Sequence, residues 1–238
     1  MSKPNHDAQA SLLATDLTVR ITEIFYSLQG ESSWVGLPTV FVRLTGCPLR
    51  CVYCDTTYSF HGGESIPLDE LVRKIDSYKS QTVCVTGGEP LAQKSCLPLL
   101  KILCDKGYSV SLETSGAMDI AAVDARVKRI VDLKTPASAE QDKNRYENIA
   151  LLTAHDEVKF VICNREDYLW SVQMIEQYDL HNKVNNILFS PVFDIEDACM
   201  RSDDFNEQQL ADWILADKLA VRMQLQLHKL IWGNQPGK

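Results

Sequence analysis

Residues 47 to 54 read Cys-Pro-Leu-Arg-Cys-Val-Tyr-Cys and place three cysteines, Cys47, Cys51 and Cys54, on one short loop. This C-x3-C-x2-C spacing, with Tyr53 before the last cysteine, suits three thiolate ligands of a [4Fe–4S] cluster. Three ligands leave the fourth iron free to bind a small molecule, whereas a cluster that only transfers electrons usually has four protein ligands. The loop therefore predicts a cluster that carries out chemistry at its open iron.

The sequence leaves two other uses of these cysteines open. A zinc site completed by His61 or another cysteine is one, although the chain has no second C-x2-C and no H-x3-H pair. A disulfide is the other, and it is weaker because no signal peptide precedes the loop. The spacing favours a cluster over zinc, and zinc over ordinary thiols.

The composition is that of an ordinary globular chain, with 238 residues, 45% of them hydrophobic and 24% charged. Residues 1 to 18 have neither the basic nor the apolar region of a signal peptide. We expect them to form a mobile lead-in to a single domain over residues 19 to 238. Eight cysteines without a secretory leader indicate a reducing compartment, so we expect a cytoplasmic protein.

Charge and hydropathy argue against two classes of partner. The formal net charge of −8 disfavours broad binding of nucleic acid. No apolar run approaches the ~20 residues needed to span a bilayer. We therefore expect neither a nucleic acid nor a membrane as a partner.

Beyond residue 18, apolar β-rich runs alternate with amphipathic runs. The predicted strands cover residues 39–44, 81–86, 108–114, 129–133, 157–163, 187–191 and 221–226, and the predicted helices cover 67–80, 91–106, 119–126, 166–177 and 203–217. Alternation of this kind predicts an α/β fold with a parallel sheet. Because the chain is short for a full eight-fold barrel of ~250 residues, we predict a partial (β/α) barrel with about six parallel strands.

The residues that can carry chemistry follow the predicted strands. The run 86–90 (TGGEP) directly follows one strand, and its glycines allow a ligand to approach the backbone closely. The run 113–116 (ETSG) ends the next, where Ser and Thr suit a helix N-cap as well as contacts to a ligand. Residues 132–134 and 190–191 end two further strands. The carboxyl ends of parallel barrel strands form the active-site mouth, so these runs are predicted to meet there.

Two single residues have both a structural and a functional interpretation. Arg43 is a charge within an otherwise apolar strand, which is costly unless the charge is paired. It either closes the barrel through a salt bridge or holds a substrate carboxylate in a bidentate pair. Thr56 lies in an ordinary turn or is a ligand of Mg²⁺, which often takes only one or two protein ligands and keeps waters.

The cysteine loop and the TGGEP run together resemble the signature of the radical S-adenosylmethionine (radical SAM) superfamily. Within it, the chain is similar to the 7-carboxy-7-deazaguanine synthase family from about residue 20 to about residue 232. The runs that carry this similarity are 23–31 (EIFYSLQGE), 41–47 (FVRLTGC), 54–56 (CDT), 86–90, 113–116 and 226–229 (QLHK). The resemblance implies a radical SAM core and a homodimer with an incomplete (β6/α3) barrel.

The resemblance also implies an activity. The family converts 6-carboxy-5,6,7,8-tetrahydropterin to 7-carboxy-7-deazaguanine with loss of ammonia, in the pathway to queuosine and other 7-deazapurines. SAM is cleaved to a 5′-deoxyadenosyl radical, which takes hydrogen from C6 of the pterin and regains it after ring contraction. The implied cofactors are the [4Fe–4S] cluster, SAM and Mg²⁺, and the implied partner is an electron donor such as flavodoxin.

By match of motif, the resemblance assigns the site residues. Cluster ligands are Cys47, Cys51 and Cys54; residues near SAM are Tyr53, Asp55, Gly88, Glu89, Ser115, Lys134 and Ser190; pterin contacts are Leu28, Gln29, Gly30, Arg43 and Thr86; and Thr56 is the Mg²⁺ ligand. Two features depart from the family pattern. Ser32 stands where many members have a glycine, and the chain continues past His228-Lys229 to residue 238.

Two other functions compete with this reading. A radical SAM activase would abstract hydrogen from a glycyl residue of a partner protein, and it would need a surface groove for that partner's loop. A non-enzymatic metal- or cluster-binding module would leave the TGGEP and ETSG strand ends without a purpose. Arg43 and the LQGE run favour a small acidic substrate instead.

Overall fold

The computed structural model describes residues 17–193, 205–235 and 237–238. Residues 1 to 16 of the expected lead-in and the first two residues of the helix predicted over 203–217 lie outside the described residues. The strands are β1 (Thr18–Leu28), β2 (Pro38–Leu44), β3 (Glu64–Pro67), β4 (Thr82–Gly87), β5 (Ser109–Thr114), β6 (Lys128–Asp132), β7 (Glu157–Ile162), β8 (Asn186–Pro191) and β9 (Arg222–Met223). They form one sheet in the order β3-β1-β2-β4-β5-β6-β7-β8-β9.

The predicted parallel sheet is confirmed. Strands β2, β4, β5, β6, β7 and β8 are parallel neighbours, and β9 continues the parallel ladder beside β8. The sheet has two ends, at β3 and β9, and is therefore open rather than a closed barrel. Central positions such as Val42, Val83 and Val85 are fully buried, as expected for parallel strands covered on both faces.

Strands β1 and β3 were not predicted from the sequence. β1 runs antiparallel to both β2 and β3 and extends the sheet on the side of the cysteine loop. Its sequence, TVRITEIFYSL, mixes charged and apolar residues, and several of its side chains are only partly buried. An antiparallel strand near an edge does not need the continuous apolar run that marks the central strands, so its signal is weaker.

Five α-helices lie in the described part of the chain. They are α1 (Leu68–Ser77), α2 (Cys96–Asp105), α3 (Arg165–Gln177), α4 (Glu207–Ala216) and α5 (Leu227–Trp232). In α1 the apolar residues Leu68, Leu71, Val72 and Ile75 are buried at helical spacing, and Pro67 precedes the first turn. The side chains of Asn164 and Asn206 cap α3 and α4 by accepting backbone N–H groups.

Two predicted helices are wrong in extent or existence. The helix predicted from residue 91 begins only at Cys96, because Pro90–Ala92 form a 3₁₀ turn capped by the Glu89 side chain. Residues 119–126 form turns instead of a helix. There Asp119 and Asp124 accept the backbone N–H groups two residues ahead, a local bond that competes with helix formation.

None of the helices in the described ranges is long and apolar enough to cross a membrane.

Candidate active site

A cavity of about 250 Å³ opens at the carboxyl ends of the parallel strands. Its walls come from β2, β4, β5, β6, β7 and β8, from the cysteine loop and from the C-terminal segment. This is the edge at which parallel α/β sheets bind ligands, because the strand-end loops converge there.

The cysteine loop is held by hydrogen bonds to its own backbone and to the segment after β6. Arg50 donates from Nη1 to the carbonyl of Cys47 at 2.7 Å, and its backbone N–H donates to Glu140 Oε1 at 2.5 Å. The N–H of Val52 donates to the carbonyl of Ser138 at 3.2 Å. The loop is therefore fixed from two sides, with all three cysteines lining the cavity.

Burial holds two of the three thiols in the neutral form. It raises the pKa of Cys47 and raises the pKa of Cys51 to about 11. A thiol that binds a metal gives up its proton, so cluster binding here would release protons. None of the cysteines in the described part of the chain forms a disulfide.

The zinc alternative needs His61 or a further cysteine beside the loop. Among the described residues, the cysteines that line the cavity are Cys47, Cys51 and Cys54, and His61 is not part of the cavity lining.

The TGGEP strand end packs directly against the cysteine loop. A Cβ atom at Gly88 would lie 2.2 Å from the carbonyl oxygen of Gly46 and 2.9 Å from Cβ of Cys47. The N–H of Glu89 donates to the same Gly46 carbonyl at 2.8 Å. A side chain at position 88 would therefore push the TGGEP run away from the cysteines, so glycine is required there.

Glu89 joins this strand end to the next one. It is fully buried, and its carboxylate accepts the N–H and the hydroxyl of Ser115, at 2.7 and 2.5 Å, and the hydroxyl of Thr114 at 3.0 Å. It also accepts the N–H of Leu91. These bonds fix Ser115 at the cavity wall. Because the Glu89 carboxylate accepts all of them from the protein, Glu89 itself does not line the cavity.

Among the described residues, three buried oxygen atoms on the cavity wall have no hydrogen-bond partner, namely Tyr53 Oη, Asp132 Oδ1 and Ser190 Oγ. Buried polar atoms are almost always paired, so such atoms at a cavity wall indicate a site for a polar ligand. Lys134 also lines the cavity, with its Nζ 2.9 Å from Asp132 Oδ2.

Arg43 lines the cavity but already has a structural partner. Its Nε lies 2.7 Å from Glu23 Oε1, and its Nη1 donates to the carbonyl of Gly87 at 3.3 Å. The hydroxyl of Tyr58 donates to the same Glu23 oxygen at 2.8 Å. Within the described residues, Nη2 of Arg43 makes no hydrogen bond. The structural salt bridge is thus present, and one edge of the guanidinium remains available.

Buried charges form a second group in the cavity. Lys159 on β7 pairs with Glu31, and Gln226 donates to the other oxygen of Glu31 at 2.7 Å. Glu113 accepts Gln29 Nε2 at 3.2 Å and the hydroxyl of Thr86 at 3.0 Å. Burial and the neighbouring Glu31 raise the pKa of Glu113.

The C-terminal segment completes the cavity. The N–H of Leu227 donates to the carbonyl of Gly30 at 3.0 Å, and a Cβ atom at Gly30 would lie 1.9 Å from Nδ1 of His228. Lys229 pairs with Asp55 directly after the last cysteine. Lys238, the last residue, also lines the cavity.

Similarity to known proteins shows the family to which the chain belongs. A model of the Radical SAM superfamily matches residues 41–200. The chain is 45% identical over 219 residues to 7-carboxy-7-deazaguanine synthase of Koribacter versatilis, covering 90% of this chain and 97% of that protein. It is 41% identical over 224 residues to the protein of the same name from Chlorobaculum tepidum, covering 93% and 97%. The chain belongs to the 7-carboxy-7-deazaguanine synthase family.

Membership in the 7-carboxy-7-deazaguanine synthase family agrees with the fold. The crystal structure of QueE from Escherichia coli matches with a TM-score of 0.70, covering 94% of this chain and all of that one. The two sequences are only 23% identical, so this likeness concerns the fold alone.

The structure brings together every predicted site residue except one. All three cysteines line the cavity, together with Leu28, Gln29, Gly30, Arg43, Tyr53, Asp55, Thr56, Thr86, Gly88, Ser115, Lys134 and Ser190. Glu89 lies behind the wall, as described above. Sequence reasoning missed Lys159, although a lysine inside the apolar strand EVKFVI carries the same signal that singled out Arg43.

Proposed function

We propose that the chain converts 6-carboxy-5,6,7,8-tetrahydropterin to 7-carboxy-7-deazaguanine with loss of ammonia, as a radical SAM enzyme. One observation carries the proposal: a single cavity joins the three thiols of the cysteine loop to Arg43 and Gln29. Thiols and substrate-binding groups on one cavity suit a small substrate that reacts beside the cluster. An activase would need an open groove for a partner's loop instead.

In this proposal Cys47, Cys51 and Cys54 hold the [4Fe–4S] cluster, and Gly88, Ser115, Lys134, Ser190, Tyr53 and Asp55 surround SAM. When bound, the cluster and SAM supply the radical that takes hydrogen from C6 of the pterin. The unpaired oxygen of Ser190 and the glycine contact at position 88 fit a polar ligand held against the loop. Glu89 acts through Ser115, whose hydroxyl and N–H it fixes.

The same cavity contains the groups that a carboxylated pterin requires. Arg43 offers Nη2 to the substrate carboxylate, while Glu23 fixes the guanidinium from its other side. Gln29 and Thr86 converge on Glu113, and with Leu28 and Gly30 they form the wall that contacts the ring. Buried polar groups placed in this way exclude water and set the orientation of the substrate.

We further propose that Thr56 binds Mg²⁺, which orients the substrate. Thr56 precedes a 3₁₀ turn, but its side chain makes no capping hydrogen bond there. Its hydroxyl is 3.7 Å from Cys54 Sγ, a weak contact that leaves the oxygen available as a ligand. Mg²⁺ tolerates one protein oxygen when substrate oxygens and waters fill its other positions.

We also propose that the enzyme is a homodimer whose domain spans residues 19 to 238. Tyr26, Val35 and Leu37, near the end of β1, are large apolar residues that remain about half exposed. Exposed apolar side chains near one another suit a protein interface. Sedimentation should give twice the mass of the chain, and Leu37→Glu should shift the protein to the mass of one chain.

A flavodoxin-like electron donor and a reducing, cytoplasmic setting complete the proposal. Val52 on the cysteine loop is about half exposed, so a donor can approach the cluster there. Val52→Glu should slow reduction by flavodoxin without slowing reduction by dithionite.

The proposed function is tested by anaerobic reconstitution followed by analysis and assay. About four irons and four sulfides per chain are expected. With SAM, a reductant and the carboxypterin, the reconstituted protein should release ammonia and 7-carboxy-7-deazaguanine. Cleavage of SAM without consumption of the pterin would favour an activase, and a protein that never cleaves SAM would favour a binding module.

A further inference from the structure

The backbone of Ser32 adopts a conformation that serine rarely takes. Its φ angle is +65°, in the left-handed region, and only 1% of its surface is exposed. A non-glycine residue pays a penalty in this region that corresponds to roughly tenfold in an equilibrium constant. Something in the surrounding structure must therefore hold Ser32 in place.

Gln224 provides that support through two reciprocal hydrogen bonds. The N–H of Ser32 donates to Gln224 Oε1 at 2.8 Å, and Gln224 Nε2 donates to the carbonyl of Ser32 at 2.8 Å. Gln224 is 94% buried, with only 6% of its surface exposed. The amide group therefore matches both backbone groups of one residue, 192 positions away in the chain.

The Ser32 side chain stabilises the same turn. Its hydroxyl oxygen accepts the N–H of Trp34 at 3.1 Å, a local bond that favours this turn. The N–H of Ser33 donates to both oxygens of Glu157, which is fully buried. The segment that follows Glu31 is thus fixed at each of three consecutive residues.

This segment continues directly from the substrate wall. Gln29, Gly30 and Glu31 line the cavity, and Ser32 is the first residue beyond them. Gln224 follows β9 at one end of the open sheet, whereas Ser32 follows β1 near the other end. The Ser32–Gln224 contact therefore joins the two sides of the sheet beside the cavity.

We propose that Gln224 is a positioning residue: it holds Ser32 in the left-handed conformation and thereby keeps Gln29, Gly30 and Glu31 in the geometry that binds substrate. The proposal rests on the function proposed above, because that function assigns Gln29 and Gly30 to the pterin. Gln224 itself is not among the residues that line the cavity.

Gln224→Met tests the role, because methionine keeps the volume of glutamine but makes neither hydrogen bond. We expect KM for the carboxypterin to rise about tenfold, kcat to change less than threefold, and the Kd for SAM to stay unchanged. Gln173→Met, on the exposed face of α3, is the matched control and should leave every value unchanged.

Ser32→Gly separates positioning from general structural support. Glycine adopts the left-handed conformation without penalty, so residue 32 no longer needs the two hydrogen bonds to Gln224 to hold it there. In the Ser32→Gly background, Gln224→Met should raise KM less than threefold. Ser32→Ala, which keeps the penalty but loses the hydroxyl, should not suppress the defect.

Amide hydrogen exchange of residues 29–33 provides a readout that does not depend on activity. Gln224→Met should accelerate exchange there about tenfold, and Ser32→Gly should suppress the acceleration. Equal effects of Gln224→Met in the serine and glycine backgrounds, or no effect in either, would overturn the positioning role. If wild-type protein leaves the pterin unchanged while hydrogen exchange follows the prediction, the proposed function is wrong, but Gln224 still holds residues 29–33 in place.

Discussion

Lys229 Nζ lies 2.6 Å from Asp55 Oδ2, and this ion pair links helix α5 to the residue directly after the last cysteine of the loop. Burial alone would raise the pKa of Asp55. The charge and the hydrogen bond of Lys229 together outweigh burial, so the pKa of Asp55 is lowered. The C-terminal segment is therefore part of the site and not an appendage.

The first prediction concerns this pair. Lys229→Met should release the Asp55 side chain and lower kcat/KM by about fivefold, equivalent to about 1 kcal/mol for a partly exposed ion pair. Iron content should stay at the wild-type level, because no cysteine is changed. Lys218→Met, an exposed lysine after α4, is the control. Unchanged kcat/KM in Lys229→Met would mean that the ion pair has no role at the site.

The second prediction concerns Arg43. Arg43→Lys keeps the charge but loses the planar fork, so affinity for the carboxypterin should fall about tenfold or more, given ~1.5–3 kcal/mol for a hydrogen bond to a charged partner. SAM affinity should barely change. Glu23→Gln removes the negative charge of the structural partner while keeping Arg43, and it is the matched comparison. Full pterin affinity with a lower melting temperature in Arg43→Lys would assign Arg43 to the salt bridge only.

The third prediction concerns Thr56. If its hydroxyl binds Mg²⁺, EDTA should reduce wild-type turnover, and Thr56→Ala should weaken the response to added Mg²⁺. Turnover and binding should both suffer, because reactive geometry is sensitive to small displacements. Thr57→Ala, at the exposed neighbouring threonine, should respond to Mg²⁺ as the wild type does. Equal turnover with and without EDTA in the wild type would remove Mg²⁺ from the account.

The fourth prediction is a pH dependence set by Glu31. Burial raises its pKa, but Lys159 and Gln226 lower it more, to about 2 from 4.5. Because the pKa of Glu31 is lowered on folding, its contribution to the free energy of unfolding is complete above pH 4.5. That contribution is lost as the pH falls from 4.5 towards 2. Glu113 and Asp132 also face Lys159, and their charges raise its pKa.

In Lys159→Met, Glu31 loses the charge and the hydrogen bond of Lys159, and burial, the largest influence on it, is opposed only by weaker interactions such as the hydrogen bond from Gln226, so its pKa should rise above 4.5. The variant should then lose stability as the pH rises above 4.5, opposite to the wild type. The difference in melting temperature between wild type and variant should widen between pH 4.5 and 7. Glu31→Gln combined with Lys159→Met should abolish that widening. A constant difference across this range would show that Lys159 does not control Glu31.

The sequence predicted the features whose signal is local. The cysteine loop and the TGGEP run each lie within a few residues, and the central parallel strands are short apolar runs bounded by turns. Partners such as Lys159 and Glu31, 128 positions apart, carry no local pattern and become visible only in the folded chain. The hydrogen bonds between Ser32 and Gln224 could not be predicted for the same reason. Glu89 belongs to the expected motif, but only the structure shows that its side chain does not line the cavity.

The most direct test of the account compares wild type with Cys51→Ala under identical anaerobic conditions, following the carboxypterin and its product by mass spectrometry. The wild type should form 7-carboxy-7-deazaguanine, whereas Cys51→Ala should form none, even though its circular dichroism still shows an α/β fold. Product formation by Cys51→Ala at the wild-type rate, or none by a wild-type protein that holds its cluster and binds SAM, would contradict the account.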